Sequence, residues 1–65
     1  MKKIEQISYN NQILSVLITV ANNKATAEYF INGDDVTGAN ILALYKSLMD
    51  AMFNNYCKLR NLKNY

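Results

Sequence analysis

Residues 37–63 decide the fold, and they read TGANILALYKSLMDAMFNNYCKLRNLK. Apolar side chains recur there at the three- and four-residue spacing of an α-helix, and no proline interrupts them. At about 100° per residue they cover roughly 200° of the helix circumference, which is about twice what one core-facing side needs. The sequence therefore predicts one long C-terminal helix, from about Thr37 to Lys63, with more apolar surface than a small sheet covers.

The length of this helix makes the same point. A helix of about 26 residues is about 39 Å long, whereas strands of about eight residues span about 27 Å. The helix is therefore expected to extend about two turns beyond its sheet. Tyr56, Leu59 and Leu62 lie in that extension, where a monomer would leave them in contact with water.

Three strands precede the helix. They are predicted at residues 2–9, 12–20 and 24–31, because each segment is rich in apolar or β-branched residues and ends at Asn-Asn or Asn-Gly. The chain is thus expected to form one small domain, residues 1–65, of the α+β class. Its order is β-β-β-α, a three-stranded antiparallel meander followed by one long C-terminal helix in two layers.

The second hairpin has a well-specified register. A two-residue loop at residues 22–23 suits asparagine, which tolerates positive φ. That loop places apolar residues opposite one another on a single face, which we take as the core face. The opposed pairs are Val20 with Ala25, Ile18 with Ala27, Val16 with Tyr29, and Leu14 with Ile31.

The first hairpin leaves two registers open. A two-residue loop at residues 10–11 sets Ile7 opposite Leu14 but also sets Glu5 opposite Val16. A three-residue loop puts Ile4 on the core face instead. The spacing of the isoleucines also fits a β-bulge in the first strand, and the sequence does not choose.

The outward face of the sheet carries a second apolar surface. Ile13 and Leu17 point away from the helix, and Phe30 lies diagonally across from them. An antiparallel sheet facing water is usually polar on that side. Two candidate surfaces suit a protein that pairs with itself on one side and binds a partner on the other.

Composition excludes the nucleophiles that depend on histidine. The chain has no histidine, so neither a Ser-His nor a Cys-His nucleophile is possible. Cys57 is the one cysteine, which rules out an internal disulfide and argues against a zinc site. Asp34 and Asp35 lack the spaced ligands of a calcium loop and are expected to form a turn and a helix cap. We expect no enzyme, no cofactor and no metal.

Charge and hydropathy bear on the compartment and the partners. The net charge is only +2, which is too small to indicate nucleic acid by itself. No apolar run approaches the roughly 18 residues of a membrane span. A single unpaired cysteine suits a reducing compartment. The expectation is a cytoplasmic protein that does not contact a membrane.

These observations predict a small binding protein that acts as a homodimer. A chain of 65 residues buries too little core to be comfortably stable alone, and oligomerisation is the remaining common way to stabilise it. We predict a stoichiometric inhibitor or adaptor of another protein, in the style of small phage and mobile-element proteins. The helix is the favoured dimer surface. Its predicted interface residues are Tyr45, Met49, Phe53, Tyr56, Leu59, Arg60, Leu62 and Tyr65, and the second candidate surface is Ile13, Leu17 and Phe30.

Two alternative functions follow from other features. Basic residues near the helix C-terminus, Lys58, Arg60 and Lys63, lie close in sequence to Tyr56 and Tyr65 and together are typical of a nucleic-acid contact. A small-ligand sequestering oligomer, with its pocket at a subunit interface, is the other alternative. Retention on nucleic acid that falls steeply with salt distinguishes the first from a protein-binding module.

Overall fold

The computed structural model describes residues 1–36 and 40–64, and for residues 40–42 it describes the backbone only. The predicted start of the helix, residues 37–39, lies outside that description. The elements in chain order are β1 (Lys2–Tyr9), β2 (Gln12–Ala21), β3 (Lys24–Ile31), β4 (Asp34–Asp35), α1 (Asn40–Leu59) and β5 (Lys63–Asn64). The predicted α+β class, an antiparallel meander followed by a C-terminal helix, is confirmed.

One sheet holds all the strands. β1, β2 and β3 run antiparallel in sequence order, so β2 is central. Two short strands that the sequence did not predict share the far edge of β3. β4 pairs antiparallel with Phe30 and Ile31, and β5 pairs parallel with Lys24 and Ala25. One edge of the meander is therefore covered at both ends, whereas β1 forms the other edge.

Asparagines with a left-handed backbone conformation form the loops of both hairpins. Asn10 and Asn11 have φ of 50° and 61°, and Asn22 and Asn23 have φ of 54° and 61°. Positive φ at both central positions is what a tight two-residue hairpin loop requires, and its twist matches that of the flanking strands. Both hairpins therefore close with two-residue loops.

These loops settle the register of the first hairpin. Ile7 lies opposite Leu14 and Glu5 lies opposite Val16, and the ladder runs without a bulge from Lys2–Thr19 to Tyr9–Gln12. The two-residue alternative is the observed one. The second hairpin has the predicted pairing, from Leu14–Ile31 to Val20–Ala25. Residues of even number in β1 and odd number in β2 consequently face away from the helix.

The core lies between the inner face of β2 and one side of α1. Leu14, Val16 and Ile18 are fully buried on the strand, and Met49 is fully buried on the helix. Apolar burial of this kind contributes about 25 cal/mol per Å². The remaining buried apolar residues are Ala25, Ile31, Val36, Tyr45, Phe53, Tyr56 and Cys57.

The helix ends at Leu59, and the prediction that it continues to Lys63 is wrong. Asn61 adopts φ of 56°. The amide of Leu62 donates to the carbonyl of Cys57 at 2.9 Å, and the amide of Asn61 donates to that of Lys58 at 3.3 Å. These two bonds around a left-handed residue define a Schellman motif, which satisfies carbonyls that the helix end would otherwise leave unpaired.

The turn at Asn61 removes the predicted extension of the helix beyond the sheet. The amide of Lys63 donates to the carbonyl of Asn23 at 3.0 Å, which brings the C-terminal segment back to the sheet as β5. Leu62 packs half-buried against the core. Tyr56, which was expected to extend beyond the sheet, is buried. Only Leu59 of that predicted group remains largely in water.

The left-handed residue at the helix end gives a direct test. Asn61→Ala should lower the free energy of unfolding by about 1 kcal/mol, because a Cβ disfavours this conformation and alanine cannot hydrogen-bond locally to offset it. Asn61→Gly should leave the free energy equal or higher. Equilibrium urea unfolding followed by circular dichroism gives both values. Asn55→Ala, at an exposed position inside the helix, is the matched control, and a loss there as large as at Asn61 would contradict the assigned turn.

Candidate binding surfaces

The helix presents a different side to the core from the one that the sequence predicted. Tyr45, Met49, Phe53 and Tyr56 form one ridge at helical spacing, and each is at most 5% exposed. In the sequence, the apolar stripe of the helix is centred about a quarter of a turn away, on Ile41, Leu44, Leu48, Ala51, Met52 and Leu59. The expectation that the sheet leaves this ridge uncovered is therefore wrong. This expectation is wrong because the large aromatic side chains of the helix, and not its leucines, fill the space above β2.

The rotation leaves a leucine ridge in contact with solvent. Leu44 is 70% exposed and Leu59 is 71% exposed. Leu48 and Met52 lie between them, half-buried at the margin of the core. The helix does carry apolar side chains beyond those that the sheet covers, but they belong to this ridge. Of the eight predicted helix residues, Leu59 and Arg60 are exposed, and Tyr65 lies outside the described residues.

A groove separates this ridge from the inner face of β1. It has a volume of about 400 Å³ and an apolar floor of Ile7, Met52 and Tyr56. The guanidinium of Arg60 lies 4.2 Å from the ring centroid of Tyr56 and covers that ring. The remaining lining residues are Glu5, Gln6, Asn55 and Leu59.

Glu5 is the charged group of this groove on the strand side. It lies half-buried on the inner face of β1, opposite fully buried Val16. Lys46 is paired with Asp50, and within residues 1–36 and 40–64 no ion pair involves Glu5. A carboxylate directed inward on an edge strand discourages unspecific pairing of strands.

The outer face of the sheet carries a shallow apolar depression. The depression is lined by Ile4, Gln6, Ser15, Leu17, Phe30 and Gly33. What we call the outer patch consists of its apolar side chains Ile4, Leu17 and Phe30, together with Ile13, which lies on the same face of β2. The amide of Gln6 donates to the hydroxyl of Ser15 at 3.0 Å, which satisfies the polar groups at its centre. The depression has a volume of about 250 Å³. The predicted second surface, Ile13, Leu17 and Phe30, lies together here, and the register adds Ile4.

A polar cluster ties β3 to the helix on the opposite side from the groove. The hydroxyl of Tyr29 donates to Asp50, and the ammonium of Lys46 lies 2.8 Å from the same carboxylate. Burial, the hydrogen bond to Asp50 and its negative charge all raise the pKa of Tyr29 far above its ordinary value. For Asp50, burial favours a higher pKa, but the hydrogen bonds from Lys46 and Tyr29 and the charge of Lys46 outweigh it and lower the pKa. A tyrosine held neutral in this way serves the fold and is not an activated nucleophile.

The groups with metal or thiol chemistry are not assembled into a site. Cys57 is buried, and burial raises the pKa of its thiol, which disfavours the reactive thiolate. Within residues 1–36 and 40–64, no three Cys, Asp or Glu side chains are placed to share a metal ion.

The basic residues considered for nucleic acid are separated by the turn at Asn61. Lys58 is exposed at the end of α1, whereas Lys63 belongs to β5. The ring of Tyr56 is buried beneath Arg60, so its face is not available to stack on a base.

Comparison of the chain with protein-family models, with curated proteins and with solved structures gave no match. In the described part of the chain, no helix combines the length and the apolar character needed to cross a membrane. Function is therefore inferred from the surfaces of the molecule.

The rotation of the helix can be tested by truncating one residue of each ridge. Met49→Ala should lower the free energy of unfolding by about 2–5 kcal/mol, because it opens a cavity in the core. Leu44→Ala should change it by no more than about 0.5 kcal/mol, because that side chain already contacts water. Urea unfolding of both variants provides the comparison. Equal losses would show that the leucine ridge also packs in the core.

The polar cluster predicts a pH dependence of stability. The pKa of Asp50 is lower in the folded chain than in the unfolded chain, so the unfolded chain binds this proton more tightly. The stabilisation is complete at neutral pH and is lost as the pH falls below about 4. Asp50→Asn should therefore lose less stability than the wild type between about pH 7 and about pH 3 in urea unfolding. Asp34→Asn, at an exposed position of β4, should retain the wild-type loss, and the same dependence in all three proteins would contradict the assignment.

Proposed function

We propose that this chain is a small non-enzymatic binding protein that acts as a stoichiometric inhibitor or adaptor of another protein. Its partner binds the outer patch. The observation that supports this is the composition of that face: Ile4 and Ile13 are exposed, and Leu17 and Phe30 are half-buried beside them. A sheet face in contact with water is usually polar, and contiguous apolar groups on such a face are typical of a contact surface.

The shape of the outer patch favours a protein over a small ligand. Its depression of about 250 Å³ is shallow and open, and pockets for small molecules usually hold about 300–1,000 Å³ and enclose most of the ligand. The polar groups at its centre, Gln6 and Ser15, already bond to each other. None of the described residues that line it is charged. Such a site suits an apolar side chain projecting from a partner's surface.

The size of the face also explains why a dimer is part of the proposal. Three strands of about eight residues present a face of about 27 Å by 14 Å, or about 400 Å². A stable protein complex usually buries about 800 Å² on each partner. One copy is therefore too small to hold a partner firmly by this face, and two copies side by side are about large enough.

The outer patch is tested by affinity capture from lysates of the cells that express the gene. The wild-type bait should retain one identified protein at a fixed stoichiometry, and its affinity should change little between low and high salt. Leu17→Thr should weaken that purified complex at least about tenfold, because it removes apolar contact area from the patch. Leu44→Gln, at the exposed helix position, is the matched control and should bind as the wild type does.

Two results would contradict this function. Undiminished binding by Leu17→Thr would place the contact elsewhere on the molecule. Retention of nucleic acid that falls steeply as salt rises would indicate release of counterions from phosphates, and the protein would then belong to the alternative class.

A further inference from the structure

We propose that two copies of this chain pair antiparallel along β1, about a twofold axis that passes next to Ile4. The proposal deepens the homodimer of the proposed function, but it does not depend on the identity of the partner protein. It assigns the dimer to a sheet edge and not to the helix. The backbone of β1, its charges and its two faces each support this assignment.

The first observation is the free hydrogen-bonding edge of β1. The N-terminal amine of Met1 donates to the carbonyl of Val20 at 3.1 Å, and the amide of Val20 donates to the carbonyl of Met1 at 2.8 Å. In an antiparallel ladder such pairs alternate with pairs whose backbone groups point away. In β1 the groups that point away from β2 therefore belong to the even-numbered residues, Lys2, Ile4, Gln6 and Ser8.

No described strand pairs with this side of β1. The strand is eight residues long and contains no proline, and its ladder with β2 has no bulge. Charged side chains on such an edge, here Lys2, Lys3 and Glu5, discourage unspecific pairing with other chains, so a pairing that forms here must set opposite charges against each other. The opposite edge, at β3, is covered at both ends by β4 and β5. The contrast marks β1 as the edge that remains available to a second chain.

Charge complementarity selects the register. A twofold axis perpendicular to the sheet keeps both helices on one side, so each residue meets a residue of the same face. With the axis at Ile4, Lys3 lies opposite Glu5 of the second copy, and symmetry makes this pair occur twice. These positions are on the inner face and are not hydrogen-bonded across the strands, which is where opposed side chains approach most closely.

The neighbouring registers lack this complementarity. An axis at Lys3 opposes two ammonium groups, and an axis at Glu5 opposes two carboxylates. An axis at Gln6 sets Glu5 opposite Ile7 and Lys3 opposite Tyr9. Like charges directly opposed across a sheet are unfavourable. Glu5 has no described cationic partner within its own chain, and of these registers the one centred on Ile4 sets it directly opposite a lysine.

The same register joins the two outer patches. Ile4 meets Ile4 of the second copy on the outer face, next to Leu17 on each side. The combined sheet of six meander strands presents about twice the area of one copy, or about 800 Å². On the helix side of the combined sheet, the two leucine ridges face each other, and the two β1 strands lie between them. The dimer thereby supplies the area that partner binding requires.

The test exchanges charges between the two positions. Lys3→Glu alone opposes carboxylates across the dimer, and Glu5→Lys alone opposes ammonium groups, so each variant should dimerise at least about tenfold more weakly than the wild type. An equimolar mixture of the two variants restores both opposite-charge pairs. It should form a heterodimer about as readily as the wild type forms its homodimer. Sedimentation equilibrium gives the dissociation constants, and native mass spectrometry separates the heterodimer by mass.

Two matched controls carry the same changes in charge outside the proposed pair. Lys2→Glu lies on the outer face, where it meets Gln6 of the second copy, and Glu28→Lys lies on β3. Both should keep the dissociation constant within about threefold of the wild type. Circular dichroism during urea unfolding shows whether each variant is folded, and recovery of a heterodimer shows it independently.

Each contrary result overturns the proposal. A wild-type chain that remains monomeric at about 100 µM has no such dimer. Dimers of Lys3→Glu as tight as the wild type place the interface elsewhere, and a mixture that forms no heterodimer excludes this register. These outcomes are separate from the function test, because capture of a partner through Leu17 is measured on its own.

Discussion

The packing of one helical ridge on the central strand is the constraint on which the rest of this structure depends. Met49 and its aromatic neighbours fill the space above Leu14, Val16 and Ile18. Because a chain of this size has room for one such layer, the side of the helix that enters the core determines which apolar groups remain outside. The ridge of Tyr45, Met49, Phe53 and Tyr56 enters the core, and the leucine ridge faces the groove beside β1.

The sequence predicted the strands and the first hairpin alternatives because hairpin geometry is local: asparagine pairs and alternating apolar residues specify it. The end and the rotation of the helix depend on tertiary contacts. Leu62 lies at helical spacing from Leu59, which concealed the turn at Asn61, although the same residue type makes the other left-handed turns of this chain. The rotation of the helix was not predicted, because the helical spacing of apolar residues does not distinguish the larger aromatic side chains from leucine. β4 and β5 have two residues each and are too short to show the alternation of a strand in the sequence.

For the candidate surfaces too, local strand geometry was predictable from the sequence, whereas tertiary contacts of the helix were not. Ile13, Leu17 and Phe30 were recognised from alternation alone, because the register of the second hairpin fixes the outer face. The helix residues were assigned to an interface because the predicted helix carries more apolar surface than the sheet covers. The turn at Asn61 largely removes that excess. What remains exposed lies on either side of β1, with the outer patch on one face and the leucine ridge across the groove on the other. An edge strand between two apolar surfaces connects self-association to partner binding, since pairing there enlarges both.

The most direct test is an isotope-filtered nuclear Overhauser experiment on an equal mixture of labelled and unlabelled chains. Contacts between the Tyr56 ring and the methyl groups of the core are predicted within one chain only. Contacts between chains are predicted at Ile4, and they should disappear on dilution. Contacts between chains at the Tyr56 ring, with none at Ile4, would contradict the account, because the helix would then be completed by a second subunit.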